Sequence, residues 1–236
     1  ERLGVIVQIG GWVLENGIEQ VGQWREWGFD DLFVTVNVST LQLQRPGFPD
    51  EVLALLMRAG VPPESLVLEI NESALAANVT PVYEGLVALR REGVGLALDN
   101  FGTGDSSLSS LVRYPVDKLK IDRSFIRSSP AGEREAAIVR AIIAMGHQLN
   151  MKVVANGVET EAQLGYLRRS DCDVFQGYLF GEPMPADMAS TTLRRRYLRP
   201  ELFAASKQDQ TLLLVDDEEN VLRSLVRLFR RDGYRI

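Results

Sequence analysis

The chain has 236 residues, a formal net charge of −6 and 45% hydrophobic residues, which sets it among ordinary globular proteins of one large domain or two small ones. One cysteine, Cys172, excludes an internal disulfide, and one histidine, His147, excludes a multi-histidine centre, so any metal is held by oxygen ligands. The acidic balance argues against nucleic-acid binding through a broadly basic surface. No apolar run approaches a membrane span, and Glu1-Arg2-Leu3-Gly4 is neither a start methionine nor a signal peptide, so the chain reads as a fragment.

In chain order, a first helical stretch carries Trp12, Trp24 and Trp27, expected to be packing residues. Short apolar, β-branched runs then alternate with segments of helical period, the pattern of a βα-repeating protein with a parallel sheet. Strands are expected at Phe33–Val38, Leu66–Ile70, Val94–Leu98, Lys118–Ile121, Lys152–Ala155 and Val174–Gln176. Between them, spacings such as Val52, Leu55, Leu56 and Ile138, Ala141, Ile142, Met145 predict amphipathic helices. His147 falls in a helix as a surface or packing residue, and Cys172 precedes a strand as an inert one. The polar run 199–210 predicts a linker. Beyond it, Leu212–Val215 has the character of a buried strand. It ends in the acidic Asp216-Asp217, and a helix follows with Val221, Leu222, Leu225 and Leu228 on one face, so 211–236 begins a second domain.

The ends of the six runs carry Asn37, Glu69, Asp99, Lys120 with Asp122, Asn156 and Gln176. A buried strand needs none of these groups. In parallel barrels and doubly wound sheets the ligand site lies at the C-terminal strand ends, so polar groups recurring at that topological position predict one.

The segments Asn37-Val38-Ser39, Glu69-Ile70-Asn71-Glu72-Ser73, Asp99-Asn100-Phe101-Gly102-Thr103-Gly104, Lys120-Ile121-Asp122, Ala155-Asn156-Gly157-Val158-Glu159-Thr160 and Gln176-Gly177-Tyr178 resemble, in order, the signature blocks of EAL domains. That family comprises cyclic di-GMP phosphodiesterases and their degenerate relatives. The resemblance covers roughly residues 1–198; on a shorter match, 211–236 resembles the first strand and helix of a response-regulator receiver domain. It implies an α/β fold, a TIM-barrel-like (β/α)8 domain of which this chain carries six strands, the first ones lying outside it. It further implies Mg²⁺ or Mn²⁺ as cofactor. One ion is held through the family's Glu-Ala-Leu glutamate together with Asn37, Glu69 and Asp99, and a second shares Asp99 and adds the positions of Asn100 and Asn156. Lys120 orients the attacking water, and Glu72, Asp122, Glu159, Gln176 and Ser39 support the site or the ligand. Asp216 and Asp217 match the acidic pair of receivers.

Two departures bear on activity. Asn100 stands where the family usually has a second aspartate, and Asn156 where active members have the glutamate regarded as general base. An amide offers a carbonyl oxygen but brings no charge and takes no proton from water. The expected protein is therefore a cyclic di-GMP signalling protein with impaired catalysis, acting as a binding or regulatory module; the alternatives are an active phosphodiesterase yielding the linear dinucleotide and a structural dimerisation module. Further expectations are a homodimer, a histidine kinase acting through the receiver, no nucleic-acid or membrane partner, and a cytoplasmic location.

Overall fold

The computed structural model describes residues 5–72, 74, 80–102, 108–129, 132–195 and 202. Helix α1 (Val5–Glu26) buries Gly10, Leu14, Ile18 and Val21, spaced to lie on one face. Strand β1 (Val34–Val38), α2 (Thr40–Leu43) and α3 (Phe48–Ala59) follow. The boundaries of α3 are written in its sequence: Pro49 sits in the first turn with Asp50 and Glu51, Arg58 is in the last turn, and Gly60 closes it in the left-handed conformation. The remaining elements are β2 (Leu66–Asn71), α4 (Thr80–Arg91), β3 (Gly95–Phe101), α5 (Leu108–Arg113), β4 (Lys118–Ile121), α6 (Arg123–Ser128), α7 (Glu133–Gln148), β5 (Lys152–Asn156), α8 (Glu161–Arg169), β6 (Val174–Gln176) and α9 (Ala186–Leu193).

All six described strands pair in parallel, and their order in the sheet is their order in the chain. This is the winding of a barrel sheet, with no reversal of direction across it. Strands β2 and β3 are buried almost throughout, as strands covered on both faces must be. At one edge, β1 buries Val36 and Val38 against helices, while Phe33, Thr35 and Asn37 are exposed on the inner face.

Two packing expectations are corrected. Trp12 and Trp27 are 64% and 51% exposed, whereas Trp24 donates its Nε1–H to Ser190 Oγ on α9 at 2.8 Å. On α7 the buried stripe is Ala136, Val139, Ile142, Ile143 and Gly146, rotated from Ile138, Ala141 and Met145. Gly146 is the reason: a Cβ there would collide with Val153, so the bare backbone presses directly on β5.

The chain divides into two units, Glu1–Thr191 and Thr192–Ile236. Of the second, only 192–195 and 202 are described; Asp216, Asp217 and the receiver-like stretch lie outside the described residues. No described helix is long and apolar enough to cross a membrane.

Candidate functional site

Parallel register lines up the polar strand ends. Asn37 is the partner of Glu69, Asn71 of Asp99, and Asn156 of Gln176. Alternation along each strand then puts Asn37, Glu69, Lys120, Asn156 and Gln176 on the inner face. Between β3 and β4 the register slips: Leu98 pairs with Leu119, but Phe101 pairs with Ile121. The extra residue on β3 is accommodated at Asn100, whose φ is 57°, a left-handed conformation that asparagine tolerates better than other side-chain-bearing residues. This bulge sets consecutive residues, Asp99 and Asn100, at the mouth opposite Lys120.

Three charged side chains are buried there: Lys120 is 4%, Glu69 7% and Asp99 8% exposed. Lys120 Nζ donates to Glu69 Oε1 and lies 3.5 Å from Asp99 Oδ1. The second contact neutralises charge without being a hydrogen bond, since Asp99 Oδ1 has no hydrogen-bond partner among the described residues. The other oxygen, Oδ2, accepts from Asn100 Nδ2 at 3.0 Å, and the same nitrogen lies 3.3 Å from Asn71 Oδ1. Below this cluster a cavity of about 210 Å³ opens between Glu69, Lys120 and Gln176 above and Phe33, Lys118 and Val174 below. Lys118 Nζ stands over the Phe33 ring, 5.6 Å from its centroid.

Other expected site residues are employed locally. Ser39 caps α2: its Oγ accepts from Gln42 N at 3.3 Å and donates to Gln42 Oε1 at 2.9 Å. Asp122 caps α6, accepting from Ser124 N at 2.8 Å. Glu72 follows β2 directly and is half-buried. The exposed Glu159 donates its backbone N–H to Gln163 Oε1 at 2.8 Å. The loop after β5 is fastened to the end of β6, for Gly157 N and Val158 N both donate to the Gln176 carbonyl, at 2.8 and 2.9 Å, and Leu179 N donates back to Val158 O at 3.1 Å. Gly177 makes this approach possible, because a Cβ there would collide with the Val158 backbone. Thr103 and Gly104 lie outside the described residues.

Two residues that shape the mouth escaped the sequence reading. Gln42 and Gln163, 2% and 6% exposed, complete capping boxes with Ser39 and Thr160. Gln163 Nε2 also reaches Ile126 O on α6 at 3.3 Å. Both boxes have a sequence signature, Ser or Thr followed three residues later by Gln. Away from the mouth, His147 Nε2 meets Asp173 Oδ2 at 2.9 Å. Burial pushes the Cys172 thiol up to about 11, leaving it a poor nucleophile at neutral pH.

Among the described residues no three His, Cys, Asp or Glu side chains converge as a metal site. Glu69 and Asp99, with Asn37 on the neighbouring strand, are nevertheless oxygen donors of the kind one hard cation takes, and Asp99 Oδ1 is a buried acceptor available to it. Asn100, beside Asp99, and Asn156, beside Gln176, are amides, which offer a carbonyl oxygen but no charge.

Residues 1–183 match the family model of the EAL domain. The chain is 45% identical over 187 residues to the bifunctional diguanylate cyclase/cyclic di-GMP phosphodiesterase MucR of Pseudomonas aeruginosa, covering 79% of this chain and 27% of MucR. It is 43% identical over 194 residues to the cyclic di-GMP phosphodiesterase NbdA of the same organism, covering 82% and 25%. It thus spans about a quarter of the length of these curated relatives. Among solved structures it is similar to the PaMucR phosphodiesterase in complex with c-di-GMP, with a TM-score of 0.76, 44% identity and coverage of 80% of this chain and 76% of that one. The EAL domain of Mycobacterium smegmatis DcpA gives 0.78, 36%, and coverage of 81% and 86%. With the family model spanning most of its length and the polar strand ends gathered at one mouth, this chain belongs to the EAL domain family.

Proposed function

We propose that this chain is the EAL-domain part of a cyclic di-GMP signalling protein, and that it binds the dinucleotide with catalysis impaired, as a sensory or regulatory module. The family membership and the relatives' activities support the ligand. The observation that carries the impairment is the pair of amides at the mouth, Asn100 beside Asp99 and Asn156 beside Gln176. A pair of divalent cations would supply charge neutralisation at a phosphoryl group and a water of lowered pKa. This chain's residues offer donors for one of them, Glu69, Asp99 and Asn37, and neither carboxylate that the second requires. Nor can Asn156 take a proton from water, and loss of a general base alone costs on the order of 10²–10⁴ in rate. What remains suits binding through neutral groups: the side-chain amide of Gln176 lines the cavity, and its residue is held in place by backbone bonds to the β5 loop.

The rest of the protein is proposed on sequence grounds: 199–210 as a linker and 211–236 as the start of a receiver-like domain, with Asp216 and Asp217 as its acidic pair. A histidine kinase partner, a homodimer and a cytoplasmic location belong to the same reading.

Calorimetric titration of the full-length protein with cyclic di-GMP, with and without Mg²⁺, paired with chromatography for the linear dinucleotide, tests it. Binding in both conditions without product supports the module; metal-dependent turnover near 1 s⁻¹, ordinary for an enzyme, would establish the phosphodiesterase; no binding would leave a structural role. In a protein that includes the missing first strands, the double variant Asn100→Asp, Asn156→Glu is expected to regain part of the Mg²⁺- or Mn²⁺-dependent product formation that its parent lacks.

A further inference from the structure

The bulge at Asn100 holds two successive side chains at a buried mouth, and something must hold the bulge. If residue 100 carried a carboxylate, two anions would stand side by side, with Glu69 close behind and Lys120 as the cation at hand. Such a cluster is relieved only when one carboxyl takes up a proton or a further cation fills it. In this chain the position carries a donor instead. Asn100 Nδ2 faces Asp99 Oδ2 at 3.0 Å and Asn71 Oδ1 at 3.3 Å, tying the end of β3 to the end of β2. Turning the amide over would aim its oxygen at a carboxylate, so this orientation is the one chemistry selects. Lys120 meanwhile compensates Glu69 and the other side of Asp99.

We infer that Asn100 is a positioning residue that takes over the structural task of a divalent cation at the strand mouth, so that the binding geometry is formed without metal. The amide cross-links Asp99 and Asn71 across the β2–β3 seam, and its tolerance of positive φ lets it do so inside the bulge. The loss of an acidic ligand at this position is thus also the gain of an internal brace. The inference deepens the reading above and rests on it for the cation's chemistry, but its readout is thermal stability, not nucleotide binding or turnover, so either can fail alone.

The test compares melting temperatures of the full chain in EDTA and in millimolar Mg²⁺ for the parent, Asn100→Asp and Asn100→Gly. The parent is expected to gain less from Mg²⁺ than Asn100→Asp does, because a cation taken up by Glu69, Asp99 and Asn37 finds no carboxylate at position 100. Asn100→Asp should melt lower in EDTA by roughly 4–8 °C and recover most of that loss in Mg²⁺. Asn100→Gly, which keeps the backbone conformation and deletes the donor, should lose stability in both solutions without recovery; a residue that merely packs would give no cation-dependent difference between the two variants. If Asn100→Asp is soluble only with Mg²⁺, the inference holds in stronger form, and if it is insoluble throughout, Asn100→Gly decides between loss of stability and no change. A parent stabilised by Mg²⁺ as much as Asn100→Asp, an Asn100→Asp as stable as the parent in EDTA, or an Asn100→Gly unchanged from the parent would overturn it.

Discussion

The two ends of the sheet use aspartate in opposite ways. At the mouth, Asp99 is buried beside a lysine, with one oxygen that accepts no hydrogen bond among the described residues. At the opposite rim, Asp117 and Asp173 stand just before β4 and β6, and each accepts the N–H of the second residue of the preceding strand: Leu96 to Asp117 Oδ1 at 2.8 Å, Val153 to Asp173 Oδ2 at 2.7 Å. Asp117 also draws in Arg90 and Lys118 at 3.4 and 3.7 Å, and Asp173 meets the His147 ring nitrogen at 2.9 Å. The rim carboxylates complete the sheet's backbone bonding. The mouth carboxylate instead pairs with side chains, Asn100 and Lys120, and this separates a residue facing the site from one that completes the backbone bonding of the sheet.

The sharpest way to break the contrast is Lys120→Met. It strands Glu69 and Asp99 as buried anions, and loss of one partner from a buried pair costs about 3–5 kcal/mol. Urea unfolding should show that loss, and a cost near zero would mean that the mouth is wetter than its burial indicates. Asp117→Ala attacks the rim. It leaves Leu96 N without its acceptor and frees Arg90, for an expected loss of about 2 kcal/mol in the same assay. The third test is finer. Burial acts to raise the Asp173 pKa, but the Val153 N–H, His147 and Lys152 outweigh it and hold the carboxyl below its usual value. A depressed folded-state pKa contributes stability that is complete above the unfolded value, about 3.9, and is lost as pH falls through the folded one. Stability measured from pH 5 downward should therefore fall less steeply in Asp173→Asn than in the parent, and the two slopes should coincide at neutral pH.

Much of this was legible in the sequence because buried parallel strands must be apolar, so any polar residue at their ends stands out. Glu69, Asp99, Lys120 and Gln176 were visible in that way, and the structure gathers Glu69, Lys120 and Gln176 around one cavity with Asp99 beside Lys120. The bulge was not visible. Nothing in Leu98-Asp99-Asn100-Phe101 announces that β3 holds one residue more than its partner needs, since register is fixed by pairing across strands. The burial of Lys120 was hidden for the same reason, because it depends on Glu69 and Asp99 arriving from two other strands. Trp12 and Trp27 misled in the other direction: large aromatic residues on a helical stretch suggest a core, but burial follows the face and not the residue. The capping boxes of Ser39 and Thr160 were within reach of local pattern alone.

The three backbone bonds between the β5 loop and the turn after β6 have a consequence for how this protein can vary. Gln176 cannot shift without carrying Gly157 and Val158, and the bare Gly177 leaves no slack between them. Substitutions at Asn156 and at Gln176 will therefore fail to add: the energetic effect of changing both should differ from the sum of the single changes by more than the few tenths of a kcal/mol seen for independent sites. For selection, the two loops are one character, and a lineage that alters one inherits a constraint on the other.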